Sequence, residues 1–156
     1  MPTLSAVYSP FQRKKLLISA SPEGAELWTP HTGRSQKLAV ANGPRTLDEV
    51  RRYEYSSWGT RLKDLDMIIP FGRRIRSQTR MASVALGDVD LSVFPSPSHP
   101  HDVLPGAHIV KKAGGAVVSL TGEEYETTDW RVDPLNGVVA ASSLELAQAT
   151  VERLAA

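Results

Sequence analysis

Residues 101–115 read HDVLPGAHIVKKAGG, and the apolar run AVVSL follows directly at 116–120. This order predicts a helix from about Asp102 to Lys112, which the pair Gly114-Gly115 ends because glycine accepts the positive φ of a helix stop. The run Ala116–Leu120 then predicts a strand. A helix followed so closely by a strand is typical of an α/β layer, in which helices cover a parallel or mixed sheet.

The same alternation continues on both sides of this stretch. Upstream, Ser77 begins a predicted helix that Gly87 ends, and a strand follows through Val89, Leu91 and Val93. Downstream, a strand is predicted at Gly137–Ala141 and a last helix after Ser143. The expected inward residues of the two helices are Met81, Val84 and Ala85, and then Leu144, Leu146, Ala147, Val151 and Leu154.

The amino-terminal part has a different pattern. Short apolar runs separated by proline and glycine in residues 1–45 predict a β-meander, with its last strand at Lys37–Val40. Thr46 and Glu49 match a capping box, which predicts a short helix through about Tyr53. A further helix is predicted over Leu62–Ile69. We expect a single domain over 1–156, with 46–156 as its α/β part.

Composition excludes several classes of protein. The 156 residues carry a formal net charge of +1, which disfavours a nucleic-acid partner. The chain has no cysteine, so disulfides, thiolate metal sites and a cysteine nucleophile are excluded, and a reducing cytoplasmic location is expected. No apolar stretch approaches the length of a membrane span, and the first residues lack the pattern of a signal peptide.

The motifs in the second half occur in a distinctive order. They are Ser77 with Arg80, then Ala85-x-Gly87-x-x-Asp90, then His101-Asp102-x-x-x-Gly106-Ala107, then Ala113-Gly114-Gly115, and finally Asn136-Gly137-Val138-Val139-Ala140. Together they resemble the carboxy-terminal half of the inositol monophosphatase superfamily, near its phosphoadenosine phosphate branch. Val7-Tyr8-Ser9-Pro10 and the meander after it are similar to the middle segment of that family. The resemblance implies an α/β sugar phosphatase fold and Mg²⁺-dependent hydrolysis of a phosphate monoester.

The resemblance also implies roles for single residues. Asp102 occupies the position of a metal-binding aspartate, although an acidic residue there also suits a simple helix cap. Arg80 occupies the position of a basic substrate contact, and Arg76 and Ser77 share its predicted helix start, where phosphate binds well. Arg73 and Arg74 complete this basic cluster, with a solvated surface patch as the alternative. His99 and His101 are interpreted as ordinary loop histidines rather than a metal pair.

Two acidic motifs of the family are expected to be missing. The family's G-E-E and D-P-x-D-G-T segments supply most Mg²⁺ ligands and would precede Met1. Gly122-Glu123-Glu124 and the stretch DPLNG at 133–137 look similar but follow the Ala-Gly-Gly turn, so they are interpreted as a surface turn and the start of a strand. No catalytic residue is therefore assigned.

We expect the chain alone to be inactive, and either to form a homo-oligomer or to need a missing amino-terminal half. The alternative is a non-catalytic phosphate-binding or dimerisation module derived from the family. The expected ligand is an inositol phosphate, a sugar phosphate or phosphoadenosine phosphate.

Overall fold

The computed structural model describes residues 4–9, 15–40, 43–55, 68–69, 71–75, 79–94, 100–125 and 137–155, without the side chains of residues 100 and 101. Within these ranges the chain forms two sheets and three helices, an α/β architecture as predicted. None of the helices in the described ranges combines the length and the apolar composition needed to cross a membrane.

The first sheet is the predicted meander. Its strands are β1 (Ser5–Ser9), β2 (Leu16–Ser21), β3 (Gly24–Thr29) and β4 (Arg34–Leu38), antiparallel and adjacent in chain order. The last strand therefore begins and ends earlier than the predicted Lys37–Val40. Because each strand pairs with the strand that follows it in the chain, the sheet is built entirely from local pairings.

The second sheet has five strands, which are β5 (Arg52–Tyr55), β6 (Arg73–Arg74), β7 (Leu91–Phe94), β8 (Ala116–Ser119) and β9 (Val138–Ala141). Their order across the sheet is β6-β5-β7-β9-β8. Strands β6, β5 and β7 run parallel, whereas β9 pairs antiparallel with both β7 and β8, so the sheet is mixed. All four residues of β7 and of β9 are buried, and β9, which reads VVAA, is a continuous apolar run, as expected of a strand that is covered on both faces.

Three helices cover the sheets. They are α1 (Ala82–Ala85), α2 (Pro100–Lys112) and α3 (Leu144–Ala155). Helix α2 contacts strands of both sheets and also α1, whereas α3 packs on β8 and β9. Two hydrophobic clusters result, one joining the first sheet to α1 and α2, the other joining the second sheet to α3.

Three sequence predictions of local structure were wrong. The helix predicted to begin at Ser77 is limited, among the described residues, to Ala82–Ala85, because the positive φ of Arg80 is not helical. Thr46 and Glu49 do interact, but they open only a 3-10 turn at Leu47–Glu49, and Tyr53 lies in β5 rather than in a helix. Asp90 explains the strand, because its carboxylate accepts the backbone N–H groups of Arg51 and Arg52 where β5 begins. Leu144, predicted to face inward, is 39% exposed at the first position of α3. The predicted helix over Leu62–Ile69 lies outside the described residues except at its last two positions.

Candidate functional site

Arg80 lies directly before α1 in an unusual backbone conformation. Its φ is +50°, the left-handed region that residues with a side chain rarely adopt. Its carbonyl oxygen accepts the backbone N–H of Ser83 at 2.8 Å, which holds Arg80 against the first turn of the helix. The two residues beside it, Thr79 and Met81, are buried. The surrounding structure therefore fixes the backbone at this point while the Arg80 side chain remains 55% exposed.

Asp102 meets this arginine from the start of α2. It is the third residue of the helix, so it lies in the first turn rather than at the cap. Its Oδ1 atom is 2.8 Å from Nη1 of Arg80, and 29% of its side chain is exposed. This distance is that of a charge-assisted hydrogen bond. The two candidates that the sequence separates by 22 positions thus form one site where α1 and α2 begin.

The site depends on a close approach of the two helices. A Cβ atom placed on Gly106, one turn after Asp102, would lie 2.9 Å from Cβ of Met81 and 3.4 Å from the backbone nitrogen of Ala82. Side-chain atoms do not approach so closely, so only glycine fits here. Gly106 therefore faces α1 rather than a sheet. Gly115 does meet a strand, since its Cβ would lie 2.8 Å from the carbonyl oxygen of Ala141 in β9.

The other members of the basic cluster are placed differently. Arg73 and Arg74 form β6 and are exposed, and the guanidinium of Arg74 lies 3.6 Å from the ring centroid of Tyr55. A cation over an aromatic face at this distance is an attractive contact at the sheet edge. Arg76 and Ser77 lie outside the described residues, as do His99 and the side chain of His101.

Asp90, the last residue of the A-x-G-x-x-D motif, has a structural task. Its Oδ2 atom accepts the backbone N–H groups of Arg51 at 2.8 Å and Arg52 at 3.0 Å. Gly87 has a φ of +71° and its carbonyl oxygen accepts a hydrogen bond from the Arg52 side chain. The motif therefore ends α1 and joins it to β5.

The described residues supply one carboxylate to a metal and not a complete ligand set. Within the described ranges there is no group of three or more histidine, aspartate or glutamate side chains that could hold an ion. Glu123 and Glu124 are exposed in the turn after β8, where the carbonyl of Glu123 accepts the N–H of Ser119. That position agrees with their interpretation as a surface turn. Mg²⁺ prefers hard oxygen ligands in octahedral geometry, and Asp102 alone does not provide them.

Sequence reasoning missed a buried carboxylate beneath α1. Glu54 in β5 is 6% exposed, and its Oε1 atom accepts hydrogen bonds from the hydroxyls of Ser83 at 2.7 Å and Ser92 at 2.8 Å. Glutamate in the short strand RYEY looks like an exposed residue, because its alternation with Tyr53 and Tyr55 predicts an outward side chain. Tyr53, which points to the opposite face of β5, is only 3% exposed, so both faces of the strand are covered at this point.

A buried histidine ties the first sheet to the helix that carries Asp102. His108 in α2 is 6% exposed, and its Nδ1 atom lies 2.8 Å from the hydroxyl of Ser5 in β1. Burial lowers the pKa of His108 below its ordinary value, and the charges of Lys112 and Lys111 lower it further. The neutral imidazole is therefore the form that stabilises this contact.

A cavity of about 310 Å³ opens near the carboxy-terminal end of α1. Its polar lining includes Lys37, Asp90 and Ser142, and neither Arg80 nor Asp102 lines it. The side chains of Asp90 and Ser142 are already engaged with backbone groups. This cavity is therefore separate from the site at the start of the two helices.

The chain is similar in sequence to one protein family and in structure to several solved proteins. The model of the inositol monophosphatase family matches residues 1–156. Similar solved structures are an inositol monophosphatase of Thermotoga maritima (20% identity, TM-score 0.67), a family protein from Staphylococcus aureus (17%, 0.70) and an enzyme described as an IMPase/NADP phosphatase complexed with NADP and Ca²⁺ (18%, 0.69). The alignments cover 97 or 98% of this chain but 54 or 55% of those structures, so the chain spans about half their length. No curated protein sequence matches.

Proposed function

This chain belongs to the inositol monophosphatase family, and we propose that it supplies a phosphate-binding side of a Mg²⁺-dependent phosphate monoester hydrolase. The observation that carries the proposal is the 2.8 Å ion pair between Arg80 and Asp102. A guanidinium presents paired donors that match phosphate oxygens, and a carboxylate is a ligand that Mg²⁺ accepts. Both groups are partly exposed, so a ligand can reach them.

The two side chains have complementary tasks in this proposal. Arg80 binds the phosphate group of the substrate, with Arg76 and Ser77 as further proposed substrate contacts. Asp102 serves as one metal ligand in the complete enzyme. Mg²⁺, when bound, would neutralise phosphate charge and lower the pKa of a bound water. Because the family's other acidic motifs do not occur upstream of Arg80 in this sequence, we propose that the chain alone does not hydrolyse phosphate.

A second function is phosphate binding without turnover, in a non-catalytic or dimerisation module. The same ion pair favours it, because Asp102 is neutralised by Arg80 and is a weaker attraction for a cation in that state.

The remaining parts of the proposal concern ligand, partners and location. We propose a phosphorylated small molecule as ligand, with inositol phosphates, sugar phosphates and phosphoadenosine phosphate as candidates, and no nucleic-acid partner. A single domain, self-association and a cytoplasmic location complete the proposal, the last in keeping with a sequence that has no cysteine.

Titration of the purified chain with inorganic phosphate, followed by calorimetry without metal, tests the binding site. Arg80→Gln should weaken binding about tenfold or more, because it removes a charged hydrogen-bond donor. Asp102→Asn should strengthen binding, because it removes the carboxylate that competes for the same guanidinium. Arg34→Gln, at an exposed arginine of β4, is the control and should change nothing. Equal affinity in the Arg80 and Arg34 variants would refute the proposed site.

Turnover needs a separate assay. Release of phosphate from the three candidate substrate classes should stay at background for the isolated chain at any Mg²⁺ concentration. Sustained release that Asp102→Asn abolishes would overturn the proposed inactivity and establish a working metal site in this chain.

A further inference from the structure

The buried carboxylate of Glu54 lies at a junction of three elements. Glu54 belongs to β5, Ser92 to the neighbouring strand β7, and Ser83 to α1. Both serine hydroxyls donate to the same oxygen, Oε1, and both serines are fully buried. A buried carboxyl group is stable only where hydrogen bonds replace its lost hydration, and the two serine hydroxyls supply such bonds here.

One of the two serines leads directly to Arg80. Ser83 donates its hydroxyl to Glu54 and its backbone N–H to the carbonyl oxygen of Arg80. Arg80 has a φ of +50°, a conformation that persists only when its surroundings impose it. Ser92 makes the matching hydrogen bond to Glu54 but belongs to β7. It anchors the carboxylate to the sheet without touching α1 through that bond.

A second constraint acts from the opposite side. Gly106 of α2 lets the backbone of α1 approach until a methyl group would collide with Met81 and Ala82, the two residues that follow Arg80. The start of α1 is therefore held by the sheet through Ser83 and by α2 through close packing. The direction in which Arg80 leaves the backbone, toward Asp102, follows from these two contacts.

We infer that Glu54 is a positioning residue for the phosphate site: through Ser83 it holds Arg80 in the left-handed conformation that aims the guanidinium at Asp102. The inference rests on the proposed function for its consequence in phosphate binding, whereas the conformational part concerns the chain itself. Glu54 is too deeply buried to touch a ligand, so its effect on the site passes through Ser83 and α1.

Two matched variants separate positioning from simple stabilisation. Ser83→Ala and Ser92→Ala each remove one hydroxyl from the same Glu54 oxygen at a fully buried position, so both should lower the urea midpoint to a similar extent. The full chain is labelled with ¹⁵N and ¹³C. The Cα and Cβ shifts of Arg80, which report its φ, are compared with the affinity for inorganic phosphate.

We expect Ser83→Ala to move the Arg80 shifts toward ordinary helical values and to weaken phosphate binding about five- to tenfold. Ser92→Ala should leave the Arg80 chemical shifts unchanged and the phosphate affinity within about twofold of that of the unaltered chain. Glu54→Gln, which keeps an acceptor oxygen, should retain the Arg80 shifts. If Ser83→Ala does not fold, Ser83→Cys keeps the volume with a weaker donor, and the same shift change is expected.

Equal shift changes in the Ser83 and Ser92 variants, or none in either, would overturn the inference. If the unaltered chain binds no phosphate, the proposed function fails, and the Arg80 shifts still decide whether Glu54 positions this residue.

Discussion

Gly106→Ala is the substitution that most directly tests how the two site helices are held together. The new Cβ would lie 2.9 Å from Cβ of Met81 and 3.4 Å from the nitrogen of Ala82. Met81 and Ala82 are fully buried, so neither can move into solvent to make room. The atoms concerned are backbone and Cβ atoms rather than the flexible end of a side chain. The helices must therefore separate by several tenths of an ångström.

The expected size follows from two opposing effects. Adding a methyl group to a packed interior costs about 1–3 kcal/mol, and the rigid neighbours place this case in the upper part of that range. Alanine favours a helix interior over glycine by about 1 kcal/mol, and Gly106 lies in the middle of α2. The net free energy of unfolding should therefore fall by about 1–2 kcal/mol. At an exposed position in the same helix, replacing glycine with alanine would instead raise the free energy of unfolding.

Urea unfolding measured by circular dichroism provides the test, with Gln148 as an internal reference. Gln148 is an exposed position inside α3, so the difference between Gln148→Ala and Gln148→Gly measures the intrinsic preference for alanine in this protein. Subtracting that difference from the effect of Gly106→Ala isolates the steric cost. If Gly106→Ala is as stable as the unaltered chain or more so, the close approach of α1 and α2 has no energetic weight, and the reasoning about the site fails.

Three other outcomes are expected. The pKa of His108 is lower in the folded chain than in the unfolded chain, so the unfolded chain binds more protons at pH values between these two pKa values. The contribution of His108 to the free energy of unfolding is therefore complete above about pH 6.5 and is lost as the pH drops below it. His108→Asn should reduce this loss, measured as the difference between urea midpoints at pH 7.5 and 5.5; an unchanged difference would assign it to other groups. In thermal unfolding, Gly137→Ala should destabilise the protein more than Gly33→Ala. Both glycines have a positive φ, but only at Gly137 would the new Cβ atom lie against a carbonyl oxygen, that of Phe94. Gel filtration should give an oligomer, because β1 is an edge strand, and Leu4 just before it and Tyr8 within it are 67% and 53% exposed; a stable monomer would contradict this expectation.

Much of the fold could be predicted from local patterns of apolar residues and glycines in the sequence. Helix α2 and strands β8 and β9 fall within one or two residues of their predicted bounds, because strong periodicity and glycine stops act over short distances. The error at Tyr53 has the opposite origin. Its segment carries a real capping signal at Glu49, but pairing with β7 and the backbone hydrogen bonds that the Asp90 carboxylate accepts impose a strand. Those contacts join residues almost forty positions apart, and a local pattern does not contain them.

The candidate site shows the same division between local and long-range information. The sequence proposes Asp102 and Arg80 because both stand in the ordered motifs that resemble the family, and the structure brings the two side chains together. Glu54 stands in none of these motifs. It becomes significant only because β5 is enclosed by two strands and because α1 places Ser83 above it. Groups that touch a ligand must lie at accessible, recurrent positions such as helix starts, whereas groups that orient them are fixed by packing. Positioning residues of this kind are therefore the part of a site that is hardest to predict from a single sequence.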